Sequence, residues 1–401
     1  MFSTRSRRIP LVFLRHLSSA LPAASILNPQ SLPFLTSRQK SRNALALLKS
    51  EEDPDRIVEI ARAASLSTQS HLDRISLSIA VSKLAASRSF DTLHKFLEEQ
   101  KNRPDCRDER FVNKVIILYG KSGMLHESVR TFEQMDKLGL RRTVRSLNAL
   151  LSAAVASKNH EEVGRIFTEF PKAFTIKPDL DTYNTVIKSQ CDSGNSMSAY
   201  SILDEMDKNK VHPNEISYGT LMAGLYAEER FDEIAKVLDL MKKKGCSPSL
   251  TTTNFRLKSL CKLGKSVEAK ALLDGIRSRG ILPDVFAFYN LIYGFCKEGN
   301  LEEAKSIFFE MGKKKNPAPS SECYFTLIYY LCESGDFSCA FDLCNKCMER
   351  GWVPNFTTVK SLVNGLARNE RAEEARGVVE KVKEKFPGKV NMWMEVEEML
   401  H

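Results

Sequence analysis

Six prolines keep a 35-residue beat through most of this chain. Pro178, Pro213, Pro248 and Pro283 are each 35 residues apart, Pro319 follows 36 later, and Pro354 another 35 on. A fixed period of this length means one supersecondary element copied many times, each copy burying its apolar face only against the next. Other positions keep the same register. Gly123, Gly194, Gly264, Gly299 and Gly335 stand at the fifteenth place of their repeats. Ala199, Ala269, Ala304, Ala340 and Ala375 stand at the twentieth, and Met135, Met206, Met241 and Met311 at the twenty-seventh. The repeats run 74–108, 109–143, 144–179, 180–214, 215–249, 250–284, 285–320, 321–355 and 356–390, the first and last degenerate, as suits capping repeats.

Within a repeat the local signals are helical. In 285–320, Tyr289, Ile292, Tyr293 and Cys296 follow i, i+3, i+4, i+7 spacing and predict an amphipathic helix. Gly299-Asn300 supplies a turn able to take a left-handed conformation. A second helix starts at Leu301 with Glu302 and Glu303 in its first turn, and Lys313-Lys314-Lys315 sits at its end, both matching the helix dipole. Phe308 and Met311 continue its apolar face, and Pro317 and Pro319 stop it. Small alanines at the twentieth place let the second helix approach its partner. The expected fold is all-α, a right-handed α-solenoid superhelix of about nine helix-turn-helix repeats of 35 residues. Its first helices would line a concave surface.

Charge is distributed unevenly. The chain of 401 residues has 59 Lys+Arg against 50 Asp+Glu, a net +9. Residues 1–50 carry six Arg and two Lys and no acid, which leaves a net of +1 for residues 51–401. The acid-free, Arg- and Ser-rich residues 1–42 have the composition of a mitochondrial transit peptide, a chloroplast being the weaker fit. Residues 43–73, with Leu45, Leu48, Ile57 and Ile60 at helical spacing, read as a degenerate helical cap ahead of the array at 74–390. No apolar run is long enough to span a membrane. Ten cysteines in a matrix-like compartment are expected to stay reduced.

Catalytic chemistry finds no foothold. The seven histidines show no i, i+4 pairing, and neither a dinucleotide nor a P-loop glycine pattern occurs. Cys344-x-x-Cys347 lacks a histidine partner, and Cys332 shares the twelfth, inward place with Cys191, Cys261 and Cys296. Buried free thiols are the simpler reading than zinc. Residues 391–401 read as a tail too short for a domain. The expectation is no enzyme, no metal, no cofactor and no small-molecule substrate.

The repeats resemble pentatricopeptide repeats. Residues 285–311, VFAFYNLIYGFCKEGNLEEAKSIFFEM, and 179–206 carry the likeness most fully, with the Tyr-Asn pair of the first helix, Gly at the turn, Glu-Ala in the second helix and a terminal Pro-Asp. The resemblance implies single-stranded RNA as ligand, one base per repeat. The fifth and last residues of each repeat would address the base edge, and the second would wedge between bases. Carried over, the pairs are Ser78 with Asp108, Asn113 with Thr143, Asn148 with Asp179, Asn184 with Asn214, and Asn254 with Asp284. Asn148/Asp179 and Asn254/Asp284 would favour U, Asn184/Asn214 a pyrimidine, leaning to C, and Ser78/Asp108 weakly G. Asn113/Thr143, Gly219/Ser249, Tyr289/Ser320 and Phe325/Asn355 do not fit. Ile75, Ile216 and Phe286 would wedge, whereas Asp181 and Glu322 put negative charge there. Lys121, Lys262 and Lys297 share the thirteenth place and would meet phosphate. Members of the family with a deaminase domain carry an H-x-E and P-C-x-x-C pattern that is absent here. The transit segment, short length and weak code resemble the members found in plant mitochondrial ribosomes. This resemblance implies a role in the small subunit, with ribosomal RNA and ribosomal proteins as partners. The other readings are a transcript-specific binder and a protein-binding scaffold.

Overall fold

The left-handed residues of the turns set the register of the fold. In a computed structural model describing residues 37–65, 71–103, 108–313, 316–353 and 355–385, the fifteenth residue of every repeat from 74 to 390 has a positive φ. Five are the glycines above, and the others are Arg88, Lys158, Glu229 and Glu370 at φ 55–60°. The following N–H closes the first helix by reaching back five residues, as from Asn300 to the Phe295 carbonyl at 2.9 Å and from Arg371 to Leu366 at 2.9 Å. A second left-handed residue ends the second helix, at Gly139, Thr175, Lys210, Gly245, Gly280, Gly312 and Gly351. Two such reversals per repeat make each one a hairpin.

Twenty α-helices result among the described residues, with no strand. They fall into two compact bodies. The N-terminal body holds α1 (Ser37–Ser50), α2 (Pro54–Ser65), α3 (His71–Ala86), α4 (Phe90–Asn102), α5 (Glu109–Lys121), α6 (Leu125–Glu133), α7 (Val144–Ala156), α8 (His160–Ala173) and α9 (Leu180–Asp192). The next helix, α10 (Ala199–Lys208), divides: Gly194–Leu203 counts with the C-terminal body and Asp204–Val211 with the N-terminal one. The C-terminal body continues with α11 (Glu215–Ala227), α12 (Phe231–Lys243), α13 (Leu250–Lys262), α14 (Ser266–Ser278), α15 (Val285–Lys297), α16 (Leu301–Glu310), α17 (Ser321–Ser334), α18 (Phe337–Glu349), α19 (Phe356–Arg368) and α20 (Ala372–Lys385). The helix pair α1/α2 adds one hairpin ahead of the nine repeats, over most of the segment read as a cap. α1 opens at Ser37, inside the segment read as a transit peptide. The rest of that segment and the C-terminal tail lie outside the described residues, as do Lys314, Lys315 and Pro354.

Within each body, first helices pack against their own second helices and against neighbouring first helices, as α15 does with α16, α13 and α17. The five alanines of the twentieth place are fully buried, and Met135, Met206, Met241 and Met311 are at most 5% exposed. The tenth place admits no Cβ at Gly294, where one would overlap Ser266 and Cys261, or at Gly365, where it would overlap Phe337. Carboxylates at the fourteenth place tie repeats together. Glu228 accepts the Ser196 N–H at 2.7 Å and Glu298 the Ser266 N–H at 3.0 Å, each at the start of the preceding repeat's second helix, where the dipole favours an anion. Second helices are further joined by Lys270–Glu303 (2.7 Å) and Arg277–Glu310 (2.9 Å), exposed or half-exposed pairs worth below about 1 kcal/mol each.

The amphipathic helix expected from Tyr289, Ile292, Tyr293 and Cys296 is α15. Its buried stripe is Phe288, Leu291, Ile292, Phe295 and Cys296. Tyr289 and Tyr293 are only half-buried and lie at the edge of that stripe. A helix packed on two sides buries a wide arc, and the phenylalanines take its centre.

Candidate nucleic-acid interface

The last residue of each of the first eight repeats starts a helix. It stands in extended backbone as the N-cap of the next first helix, where its side chain can satisfy free amide groups. Asp108 accepts from Phe111 N at 2.8 Å, Asp179 from Thr182 N at 2.9 Å, Asp284 from Ala287 N at 2.8 Å, and Asn355 from Thr358 N at 2.9 Å. Thr143 and Asn214 form full capping boxes with Ser146 and Ser217. Ser249 accepts from Thr252 N, whereas Ser320 caps with no side-chain bond. Sequence reasoning took these positions as base readers and missed their capping role. The signal was available: Asp, Asn, Ser or Thr just before an apolar helix.

In the two repeats with the Asn/Asp pairing, the fifth and last side chains touch. Asn148 Nδ2 donates to Asp179 Oδ1 at 3.0 Å, and Thr182 Oγ1 donates to Asn148 Oδ1 at 2.6 Å. Burial pushes the Asp179 carboxyl up, but hydrogen bonds from Asn148, Thr182 and the Asp181 amide outweigh it and hold the group below its ordinary value. Asp179 is therefore an anion with a fixed orientation. Asn254 Nδ2 donates to Asp284 Oδ2 at 2.9 Å and Oδ1 at 3.2 Å. Its own Oδ1 is buried with no hydrogen-bond partner, as is that of Asn113. A buried acceptor left unmade costs about 1–3 kcal/mol.

The other pairs are arranged differently. The Thr143 hydroxyl donates to Glu109 and so does not reach Asn113. Ser78 lies half-buried on α3. Asn184 stands on α9 of the N-terminal body and Asn214 caps α11 of the C-terminal one. Ile75, Ile216 and Phe286 are exposed at 36%, 62% and 44%, as wedges must be. Arg110 and Arg145 hold the same second place, exposed, and sequence reasoning did not pick them out. Each of the three lysines ends a first helix. Lys121 and Lys297 are exposed, whereas Lys262 leans onto Tyr293, donating to its hydroxyl at 3.3 Å. The thiols of Cys261, Cys296, Cys332, Cys344 and Cys347 are pushed up to about 12 by burial, which keeps them neutral members of the core. Trp352 packs edge-on to Tyr324, whereas Trp393 lies outside the described residues.

Helical hairpins repeated along the chain, their first helices from α5 to α19 each opened by a polar cap, define a helical-repeat protein of the α-solenoid class. The chain belongs to the pentatricopeptide repeat family. Family models match residues 178–227 and 216–262 (PPR repeat family), 130–193 (pentatricopeptide repeat domain), and 111–140, 251–281, 279–312 and 357–385 (PPR repeat). A mitochondrial pentatricopeptide repeat-containing protein of Arabidopsis thaliana is 45% identical over 92% of this chain and 92% of its own length. The small ribosomal subunit protein mL103 (rPPR7) of the same plant is 33% identical over 98% of this chain and 95% of its own. Among solved structures, the pentatricopeptide repeat protein PPR10 from maize superposes with a TM-score of 0.55 at 19% identity, over 99% of this chain and 59% of that one. This likeness is one of fold.

Proposed function

We propose that this chain is a non-catalytic RNA-binding protein of mitochondria, acting in organellar translation as a component or assembly factor of the small ribosomal subunit. The observation that carries RNA binding is the pairing of Asn148 with Asp179 and of Asn254 with Asp284. Each places amide and carboxylate groups side by side at a helix start, the chemistry a base edge needs. The mitochondrial reading is supported by the acid-free N-terminal segment and by the 45%-identical relative. The ribosomal reading is supported by the likeness to mL103, and by how few repeats offer a usable pair. At about 1–3 kcal/mol per well-read base, two or three isolated positions select a sequence poorly. Contacts to backbone and shape suit a resident ribonucleoprotein better.

Sedimentation of mitochondrial extract with and without RNase tests this. Migration of the chain with the small subunit at high salt is expected. Migration in small RNase-sensitive particles would favour a transcript binder, the reading the two U-type pairs support. Base reading is tested by Asp179→Asn and Asp284→Asn, which keep the cap because Asn caps as well as Asp. We expect the preference at those two sites to move from U towards C, checked by binding to a randomised single-stranded RNA pool.

A further inference from the structure

Two consecutive repeats of the C-terminal body, 285–320 and 321–355, replace amides with rings at the fifth place. The fifth place of repeat 285–320 is Tyr289, and its neighbour one turn on is Tyr293, the rings near-parallel with centroids 6.4 Å apart. Neither belongs to the buried stripe of α15. Lys258 links them to Tyr226 of α11, and α17, packed on α15, carries Tyr330; burial, then Tyr293, pushes the Tyr226 hydroxyl up to about 12 and raises that of Tyr330. Two lysines of α13 stand among these rings. Lys258 Nζ is 4.0 Å from the centroid of Tyr226 and 5.7 Å from that of Phe286, and Lys262 Nζ is 4.9 Å from that of Tyr293.

Among the described residues neither lysine makes an ion pair, although Lys236, Lys270 and Lys305 on second helices all reach carboxylates. Burial, then repulsion from Lys262, pulls Lys258 below its ordinary value. Two uncompensated ammonium groups beside half-exposed rings attract an anion that also has a flat apolar face. A nucleotide unit is that ligand, with base on ring and phosphate on lysine.

We propose that the Tyr226–Lys258–Lys262–Tyr289–Tyr293–Tyr330 cluster is a stacking site for an unpaired base of single-stranded RNA, held without reading its edge, with the flanking phosphates on Lys258 and Lys262. The proposal rests on the RNA-binding reading above. It gives repeat 285–320 a contact that the fifth-and-last pairing, with Tyr289 at the fifth place, does not supply.

The test uses the full chain and fluorescent single-stranded homopolymers of U, C and A, about 12 nucleotides long, followed by anisotropy. Tyr289→Leu with Tyr293→Leu keeps apolar bulk and removes the rings; affinity should fall about ten-fold for all three homopolymers alike. Tyr289→Phe with Tyr293→Phe keeps the rings and should bind as the unaltered chain. Lys258→Gln with Lys262→Gln changes only partly exposed side chains, and should flatten the slope of log Kd against log salt by about 1.4, from about 0.7 per phosphate. Unchanged affinity in the Leu variant, a loss confined to one homopolymer, or a Phe variant as weak as the Leu variant overturns the site. If the unaltered chain binds none of the three, the RNA-binding reading falls too. If it binds and the Leu variant binds equally, only the stacking site falls.

Discussion

At the scale of single residues, the turns carry strain that sequence inspection undervalued. Lys158 and Glu370 hold the left-handed conformation that glycine holds at the same place elsewhere. That conformation costs a non-glycine residue about 1–2 kcal/mol, against about 0.5–1 kcal/mol for the extra freedom of glycine in the unfolded chain. Lys158→Gly and Glu370→Gly are therefore each expected to stabilise their hairpins by about 0.5–1 kcal/mol, read as a higher urea midpoint. Asp179 gives a pH-dependent counterpart. Its folded carboxyl is held below the ordinary 3.8, so the stability it adds is complete above that value and is lost as pH falls further, through the folded value. The stability difference between the natural chain and Asp179→Asn should shrink as acid unfolding is followed below about pH 4.

At the scale of helices, two glycines in first helices make opposite predictions. A Cβ at Gly219 would meet only Thr252, at 3.9 Å, so Gly219→Ala should add about 0.5–1 kcal/mol through helix propensity. At Gly294 the same change drives a methyl into Ser266 and Cys261, and should cost about 1–3 kcal/mol, as overpacked cores do. Thermal unfolding of the two variants separates these signs. Neither sign was legible in the sequence, because both glycines simply interrupt an apolar run. Legible instead were the elements themselves: the fifteenth-place glycines and twentieth-place alanines located hairpins correctly. Spacing located the helix α15 but could not tell Phe288 and Phe295, at the centre of its wide buried arc, from the tyrosines at its edge. The bond between Asn148 and Asp179 was anticipated only through the family resemblance, since 31 residues separate them and no local rule links them.

At the scale of the whole chain, the energetics are those of neighbours. Within each body, repeats touch the next repeat and little beyond, so a lesion should stay local. Hydrogen exchange in Gly294→Ala is expected to lose protection in α13 to α16 and to keep it in α3 to α7. The repeat period announced this architecture, and in the degenerate repeat 74–108 Arg88 takes the turn conformation that glycine takes elsewhere. One consequence follows from the caps. Asp108, Thr143, Asp179, Asn214, Ser249, Asp284, Ser320 and Asn355 are all drawn from four residue types, the four that best begin a helix. Any vocabulary written at that place is limited to four letters by folding, before a ligand has any say in it.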